Sequence, residues 1–549
     1  MIRRLIVLGA LVAAVLPAPV FVAPAGVLQA ADPVLDRGLR ERASAPVGSS
    51  RVIVHMNPDV SPAALDAAIR RVGGISGRRL LASGSQVAYV PDTALDALSR
   101  LPGVRGVSLD RPVHGTLERT AATIGATWVR ENLGFDGTGV GIALVDSGVA
   151  NWHDDLAAGR VTRFVDFVNF QTAAYDDYGH GTHVAGIIAG DGHDSQGRRR
   201  GIAPGATLVV EKVLDAAGQG YISNVIAAID YAIANRDTLG IRVINLSVAA
   251  GVYESYTTDP LTLAAKRAVE AGIIVVSAAG NLGKSADGKV QYGAVGAPGN
   301  APWVITVGAS SHNGTADRAD DTVAAFSSRG PTAIDLQAKP DLVAPGVGIE
   351  SIAEAGSTLW NTKPLMRLWG TVPTAAEPYL SLTGTSMAAP VVSATIALML
   401  QARPELTPNQ VKAILEFTAE SRPGYDAMTQ GAGFLNARGA LEMAQAFASG
   451  ASLQAPADPV RWSRRVFWGN RILTGEAGLR TARVNIWAAD LLWGARGVFD
   501  DAVEPEAAIA PSAPTERVVW SASDDVAGIV WRAPASRRVR TGLVDPALR

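Results

Sequence analysis

Short apolar runs set apart by longer amphipathic stretches dominate the middle of the chain. Gly141 to Val145, Leu208 to Lys212, Val243 to Leu246 and Ile273 to Val276 are largely unbroken rather than alternating, as strands buried on both faces must be. Between them, Ser223 to Asn235 and Leu261 to Ala271 repeat apolar residues at helical spacing. This order predicts a three-layer α/β unit over 117–447 with a mostly parallel central sheet covered on both faces. Ligands in such sheets bind beyond the carboxyl ends of the strands, so the polar residues that follow these runs are the first candidates for chemistry.

Upstream the alternation is tighter. Strands at Val52–Val54, Gln86–Val90 and Val104–Leu109, with helices at Ala63–Val72 and Thr93–Leu101, predict a small α+β module over 48–115. The polar run His114-Gly115-Thr116 follows as a linker. At the start of the chain, Arg3 and Arg4 precede an apolar run from Leu5 to Leu16, and small residues including Ala23-Pro24-Ala25 come next. That is the layout of a secretory signal peptide, assigned here to 1–30. The apolar run is short of the roughly 20 residues that cross a bilayer, so the expectation is export, removal of the leader and no stable membrane span afterwards.

Beyond 447 the pattern changes. The extension 448–549 holds six of the chain's 11 tryptophans: Trp462, Trp468, Trp487, Trp493, Trp520 and Trp531. Apolar-Trp units recur within Ala-, Pro- and acid-rich segments, which suits a degenerate repeat of short strands, a surface-binding appendage or a removable, partly disordered tail. The even spacing of 462/468 and 487/493 places both rings of each pair on one face of a strand.

Composition narrows the function classes. At 549 residues and 48% hydrophobic, the chain can bury several cores and is not a disordered polymer. Its 49 Lys and Arg against 51 Asp and Glu leave no basic field of the kind a nucleic-acid partner requires. The absence of cysteine excludes disulfides, thiolate catalysis and Cys-based metal sites.

Three short segments carry candidate chemistry. Asp146, in Asp146-Ser147-Gly148, closes a buried strand, where a carboxylate can orient a histidine; a turn-forming Asp is the plainer alternative. His180, in Gly179-His180-Gly181-Thr182-His183, starts an apolar helix between glycines that let backbone approach closely. His180 and His183 lack the further ligands a zinc site needs, and His183 reads as a buried helix residue. Ser386, in Gly384-Thr385-Ser386-Met387-Ala388-Ala389-Pro390, opens another apolar helix, whose free N–H groups favour a developing negative charge; it could also be an ordinary N-cap. Ala278-Ala279-Gly280-Asn281 ends a strand in a side-chain amide, a further donor for such a charge.

Together these segments resemble the subtilases, the subtilisin-like serine peptidases, with the motifs intact and in that family's order Asp, His, Ser. Gly201 to Ala206, Phe326 to Pro331 and Lys339 to Gly346 are also similar to bacterial members. The resemblance implies Ser386 as nucleophile, His180 as general base and then acid, Asp146 as its orienting partner, and Asn281 with the Ser386 N–H as oxyanion donors. It implies an acyl-enzyme route with no cofactor for the chemistry, and protein or peptide substrates. It further implies that 48–115 is a ferredoxin-like prodomain acting as an intramolecular inhibitor, removed by self-processing near 114–119, and that the product is secreted, to the medium, periplasm or cell surface. An adhesion protein using the scaffold for display is the competing class, but such pseudoenzymes usually lose one of the four groups retained here.

Departures from the family bear on specificity and metal. The substrate-pairing wall reads Ser247-Val248-Ala249-Ala250, with Ala249 where the family usually carries glycine; Ala279 and Gly280 belong to the opposite wall, with Val295 to Gly299 near the pocket base. None of these is charged, which favours a small or apolar side chain before the cleaved bond. Calcium often stabilises the family, and Asp155 aligns with a position that can be a ligand. The loop Asp191 to Gly197 offers more oxygens, but Arg198, Arg199 and Arg200 follow at once and oppose a cation.

Overall fold

The computed structural model describes residues 34–474 apart from 47, 58, 81–84, 110–115, 158, 286, 449–461 and 469–470. The leader and the tryptophans at 487, 493, 520 and 531 lie outside the described residues. The chain divides into two compact units between Val113 and His114.

The first unit is a five-stranded sheet in the order Val34–Leu35, Val104–Leu109, Ser49–Met56, Ser85–Pro91, Ile75–Leu80. Helices Pro62–Arg71 and Leu95–Ser99 occupy the two predicted helical stretches. Leu65, Ile69, Leu95 and Leu98 close a core with Val52, Val54, Val90 and Val107 of the sheet. Two features differ from expectation. Strand Val34–Leu35 and helix Arg37–Ser44 place the start of the unit ahead of residue 48. Ile75–Leu80 reads Ile-Ser-Gly-Arg-Arg-Leu and leaves Ile75 69% exposed, so this edge strand has no buried face to give it a period-two pattern.

The second unit carries the parallel sheet. Its strands are β1 (Gly141–Asp146), β2 (Val161–Asp166), β3 (Thr207–Lys212), β4 (Ile241–Leu246), β5 (Ile274–Ala278), β6 (Ile305–Ser311), β7 (Thr322–Val323) and β8 (Leu342–Pro345). They run β7-β6-β5-β4-β1-β3-β2, with β8 also pairing β6, and every pairing except β6 with β7 is parallel. The first strand therefore sits between strands added to its two sides, a topological switch point, and the crevice beyond its carboxyl end is where a ligand belongs. All six residues of β1 are buried, and so are all five of β5, which explains their unbroken apolar character.

Helices α1 (His180–Ala189), α2 (Ile222–Ala234), α3 (Pro260–Glu270), α4 (Thr385–Ala402), α5 (Pro408–Thr418) and α6 (Ala437–Ala448) flank the sheet. α4 is long and apolar enough to cross a membrane, but 89% of that window is buried inside the unit, and it packs on α1 and on β4, β5 and β6. In a small antiparallel sheet, β9 (Ile349–Ile352) pairs with β10 (Tyr379–Leu382), and the long excursion 353–378 that joins them adds Arg367–Leu368 on the other side of β10.

The C-terminal extension begins inside this unit. Strands β11 (Arg465–Trp468) and β12 (Arg471–Thr474) form a hairpin against α5: Phe467 N–H donates to Glu416 Oε2 at 2.8 Å, and Phe467 is buried with Ala338, Ala419 and Met428. Trp462 and Trp468 do not lie on one strand. Trp462 stands before β11 with its ring edge-on to Phe417 at 6.1 Å, and Arg464, at φ 51°, turns the chain between them.

Candidate active site

Two adjacent strand ends and two helix starts converge at the switch point. β1 ends in Asp146, and β4, paired beside it with Val145 level with Leu246, runs on into Ser247. Asp146 Oδ1 accepts the Ser147 N–H at 2.8 Å and lies 2.8 Å from His180 Nδ1, the first residue of α1. Both side chains are buried. With Nδ1–H turned to the carboxylate, the lone pair of the neutral imidazole is on Nε2, which has no hydrogen-bond partner. Burial alone depresses the His180 pKa, but the charge and hydrogen bond of Asp146, with Asp176 adding to them, hold it above the ordinary histidine value.

The approach of α1 to β1 depends on Gly181. A Cβ there would stand 2.3 Å from the Gly148 carbonyl and 3.2 Å from Asp146 Cβ, so any side chain would drive the helix off the strand end.

Ser386 is the second residue of α4. Its hydroxyl donates to the Ser247 carbonyl at 3.0 Å, and its carbonyl accepts the Ser247 hydroxyl at 2.8 Å, which fixes the helix start one strand away from Asp146. Ser247 is held in turn by the Asn245 amide at 3.0 Å. The residue before the helix, Gly384, has no side chain with which to cap it. Asn281 takes that part: its Oδ1 accepts the Thr385 N–H at 2.9 Å and the Thr385 hydroxyl at 3.1 Å. Of the two ends of the amide only the carbonyl can accept from a backbone N–H, so its orientation follows, and its NH2 is turned away from Thr385.

The residues read as substrate walls divide by exposure. Ala249 and Gly280 are partly open, whereas the side chains of Ser247, Val248 and Ala279 are buried. Ala279 spends its backbone within the fold, donating to Val307 O at 2.9 Å and accepting from Gly296 at 3.3 Å, so Gly280 is the member of that pair that faces solvent. Ala250 and Ala297 exchange two hydrogen bonds of 2.9 Å, joining the wall to the segment at the pocket base. At that junction the Ala249 methyl is 3.0 Å from where a Cβ of Gly296 would be. The methyl therefore occupies space that glycine would leave open.

His153, Asp155 and Asp194 bring three possible ligand atoms close together in the interior, yet the hydrogen bonds they already make are a poor match for a calcium ion. Asp155 Oδ1 accepts the Asp194 N–H at 2.9 Å, and Oδ2 accepts the Tyr379 hydroxyl at 2.8 Å. His153 Nδ1 accepts the Asp155 N–H at 3.1 Å while Nε2 donates to the Pro378 carbonyl at 3.1 Å, so neither nitrogen has a lone pair to spare. Calcium takes roughly six to eight oxygens. Here both Asp155 oxygens already accept from donors, and the Arg199 guanidinium lies 4.7 Å over the Tyr379 ring. The cluster is a hydrogen-bonded knot tying three segments together.

Two features escaped the sequence reading. The excursion 353–378 lies against the His180 loop: Thr358 N–H donates to Asp177 O and Leu359 N–H to Tyr178 O, both at 3.0 Å. Asp176, four residues before His180, is buried and bonded on both sides of it. A closely spaced run of acids, Asp176-Asp177, was the available signal, but acids before a helix usually mark only a solvated turn.

Residues 137–439 match the model of the subtilase family. The serine protease AprX of Bacillus subtilis is 38% identical over 361 residues, spanning 64% of this chain and 78% of that protein. Subtilisin DY of Bacillus licheniformis is 33% identical across 56% of this chain and 93% of its own length, and an extracellular serine proteinase of a Thermus strain is 32% identical across 66% and 78%.

Proposed function

Since the chain belongs to the subtilase family and is a serine endopeptidase, we propose that it cleaves peptide bonds with Asp146, His180 and Ser386 as its catalytic triad and Asn281 as its oxyanion donor. The observation that carries this reading is the 2.8 Å contact between Asp146 Oδ1 and His180 Nδ1, which leaves Nε2 as a base without a partner.

In the reaction, the Ser386 hydroxyl leaves the Ser247 carbonyl and turns to His180 Nε2, which takes its proton as Oγ attacks the substrate carbonyl carbon. The carbonyl oxygen becomes an oxyanion between the Asn281 NH2 and the Ser386 N–H, one of the first-turn N–H groups of α4 that has no carbonyl a turn behind it. His180 then protonates the leaving amine, and water, deprotonated by the same nitrogen, releases the acyl group from Ser386. The Ala249 methyl favours a small apolar residue before the cleaved bond.

The first unit serves as a prodomain that inhibits the enzyme until it is removed, and the leader directs export, as the extracellular proteinase among the relatives suggests. Helix 116–123 starts within the expected processing stretch, so the cut falls at the amino end of 114–119. Ser386→Ala tests the assignment. The variant is expected to accumulate as unprocessed precursor and to resist a serine-directed fluorophosphonate that labels the native enzyme; normal self-processing by it would refute both the nucleophile and intramolecular maturation.

A further inference from the structure

We propose that Asp176 is a positioning residue for catalysis: its carboxylate clamps the end of the strand carrying Asp146 to the first turn of the helix carrying His180, and so sets the geometry and charge of that pair. This rests on the reading of Asp146, His180 and Ser386 as the triad.

Four donors converge on the one buried carboxylate. Oδ1 accepts the Ser147 hydroxyl at 2.8 Å and the Gly179 N–H at 2.7 Å, while Oδ2 accepts the Thr182 N–H at 2.8 Å and the Thr182 hydroxyl at 2.7 Å. The two hydroxyls pass the connection on. Ser147 Oγ accepts the Gly181 N–H at 2.8 Å, and Thr182 Oγ1 accepts the Ala150 N–H at 3.0 Å. The residues flanking His180 and those following Asp146 are thus bonded to Asp176 or to a hydroxyl it holds. Gly179 at the N-cap of α1 has no side chain, so Asp176 satisfies the free N–H groups of that first turn from outside the helix. The charge of this carboxylate favours the imidazolium that forms when Ser386 gives up its proton.

Asp176 touches no reacting atom and acts through Asp146 and His180. The other titratable groups around the pair are Tyr178, whose ring is 6.3 Å from that of His180, His183 along α1, Glu354 from the excursion, and Lys212 of β3, which binds Ser147 O and Asp177 at 2.7 and 2.6 Å. Among them Asp176 is the one bonded on both sides of His180.

The test is kcat and KM for a chromogenic peptide across pH in the mature enzyme, with Asp176→Asn and Ser147→Ala. For Asp176→Asn, kcat is expected to fall about tenfold to a hundredfold with KM little changed, because small misplacements of a general base are that costly. The acidic limb of kcat/KM should move down by roughly several tenths of a pH unit, since a negative charge that favoured protonated His180 is gone. Ser147→Ala breaks the bridge but keeps the charge, so kcat should fall by a smaller factor, about threefold to tenfold, with the limb in place. A wild-type limb in Asp176→Asn overturns the proposal, whatever happens to its melting temperature. If that variant does not fold, wild-type kcat in both Ser147→Ala and Thr182→Val overturns it instead. Peptide hydrolysis surviving in Ser386→Ala would condemn the triad reading itself, a result distinct from failure of the clamp.

Discussion

The Asn281 side-chain carbonyl and Thr385 are joined by two hydrogen bonds, of 2.9 Å to the N–H and 3.1 Å to the hydroxyl, and Thr385 Oγ1 also receives the Gly280 N–H at 3.1 Å. The amide is thereby aimed before any substrate arrives. An oxyanion donor fixed in advance stabilises the transition state without reorganising, so removing it should lower kcat rather than raise KM. Asn281→Ala is expected to lose about 10²–10³ in kcat, a range taken over from subtilisin for the same kind of donor. Thr385→Val keeps one of the two bonds and should lose less, on the order of tenfold. A rise in KM at constant kcat in Asn281→Ala would show that the amide binds ground state and transition state alike.

Ala249 meets Gly296 at the junction of two pocket segments, with its methyl 3.0 Å from the position of a Cβ there. Ala249→Gly should open the pocket by about one methyl group. Because such a group is worth about 1–3 kcal/mol of discrimination, kcat/KM for peptides with Phe or Tyr before the cleaved bond should rise about tenfold relative to those with Ala. Cleavage profiling on a peptide library reads the ratio directly, and an unchanged profile would remove Ala249 from the specificity wall.

If the knot around Asp155 does the work of an ion, chelation should leave the melting temperature where it was. Titrating the purified enzyme with EDTA and then calcium, followed by scanning calorimetry, should move the transition in neither direction. Tyr379→Phe, by contrast, takes the hydroxyl from a buried carboxylate and should cost about 1–3 kcal/mol of stability. A fall in melting temperature with EDTA that calcium restores would reinstate the ion.

His183 gives the enzyme an acid limit. Its Nε2 is shared between the Ile349 and Leu380 carbonyls at 3.1 and 3.0 Å, and burial pushes its pKa down to about 3. The unfolded chain binds a proton there near pH 6.5 and the folded chain does not. Stability from this group is therefore complete above about pH 6.5 and declines as pH falls below it, by at most about 1.4 kcal/mol per pH unit. Chemical denaturation at a series of pH values should show that slope in the Ser386→Ala protein, and His183→Gln should flatten it.

The four central strands read from the sequence were legible because each is almost wholly buried, whereas Val161–Asp166, mostly open or half-buried, was not. Asp146 and Asn281 drew notice because each stands where a buried apolar run stops, and His180 and Ser386 because each stands where an apolar helix starts. What could not be read depends on partners distant in sequence. Ile75–Leu80 is an edge strand with no apolar face; the hairpin after Trp462 owes its place to Glu416, 51 residues before Phe467. Asp176 looks like any turn acid until its four donors are seen. Asp155 was named from a family position alone; the donors of Asp194 and Tyr379 that meet it come from a loop and a strand whose arrival the local sequence does not announce.

The hairpin on α5 also limits how far the enzyme can be trimmed. Glu416 is fully buried, its pKa is driven well above the ordinary carboxyl value by burial, and the Phe467 N–H is one of the few groups offered to it. A protease cutting between α6 and β11 would strip that donor away and uncover Phe417, so the shortened body would be more prone to unfold and be digested than the longer one. A peptidase works among its own active copies, and in that setting burial of Phe467 and Phe417 by the residues through Thr474 would guard against self-consumption.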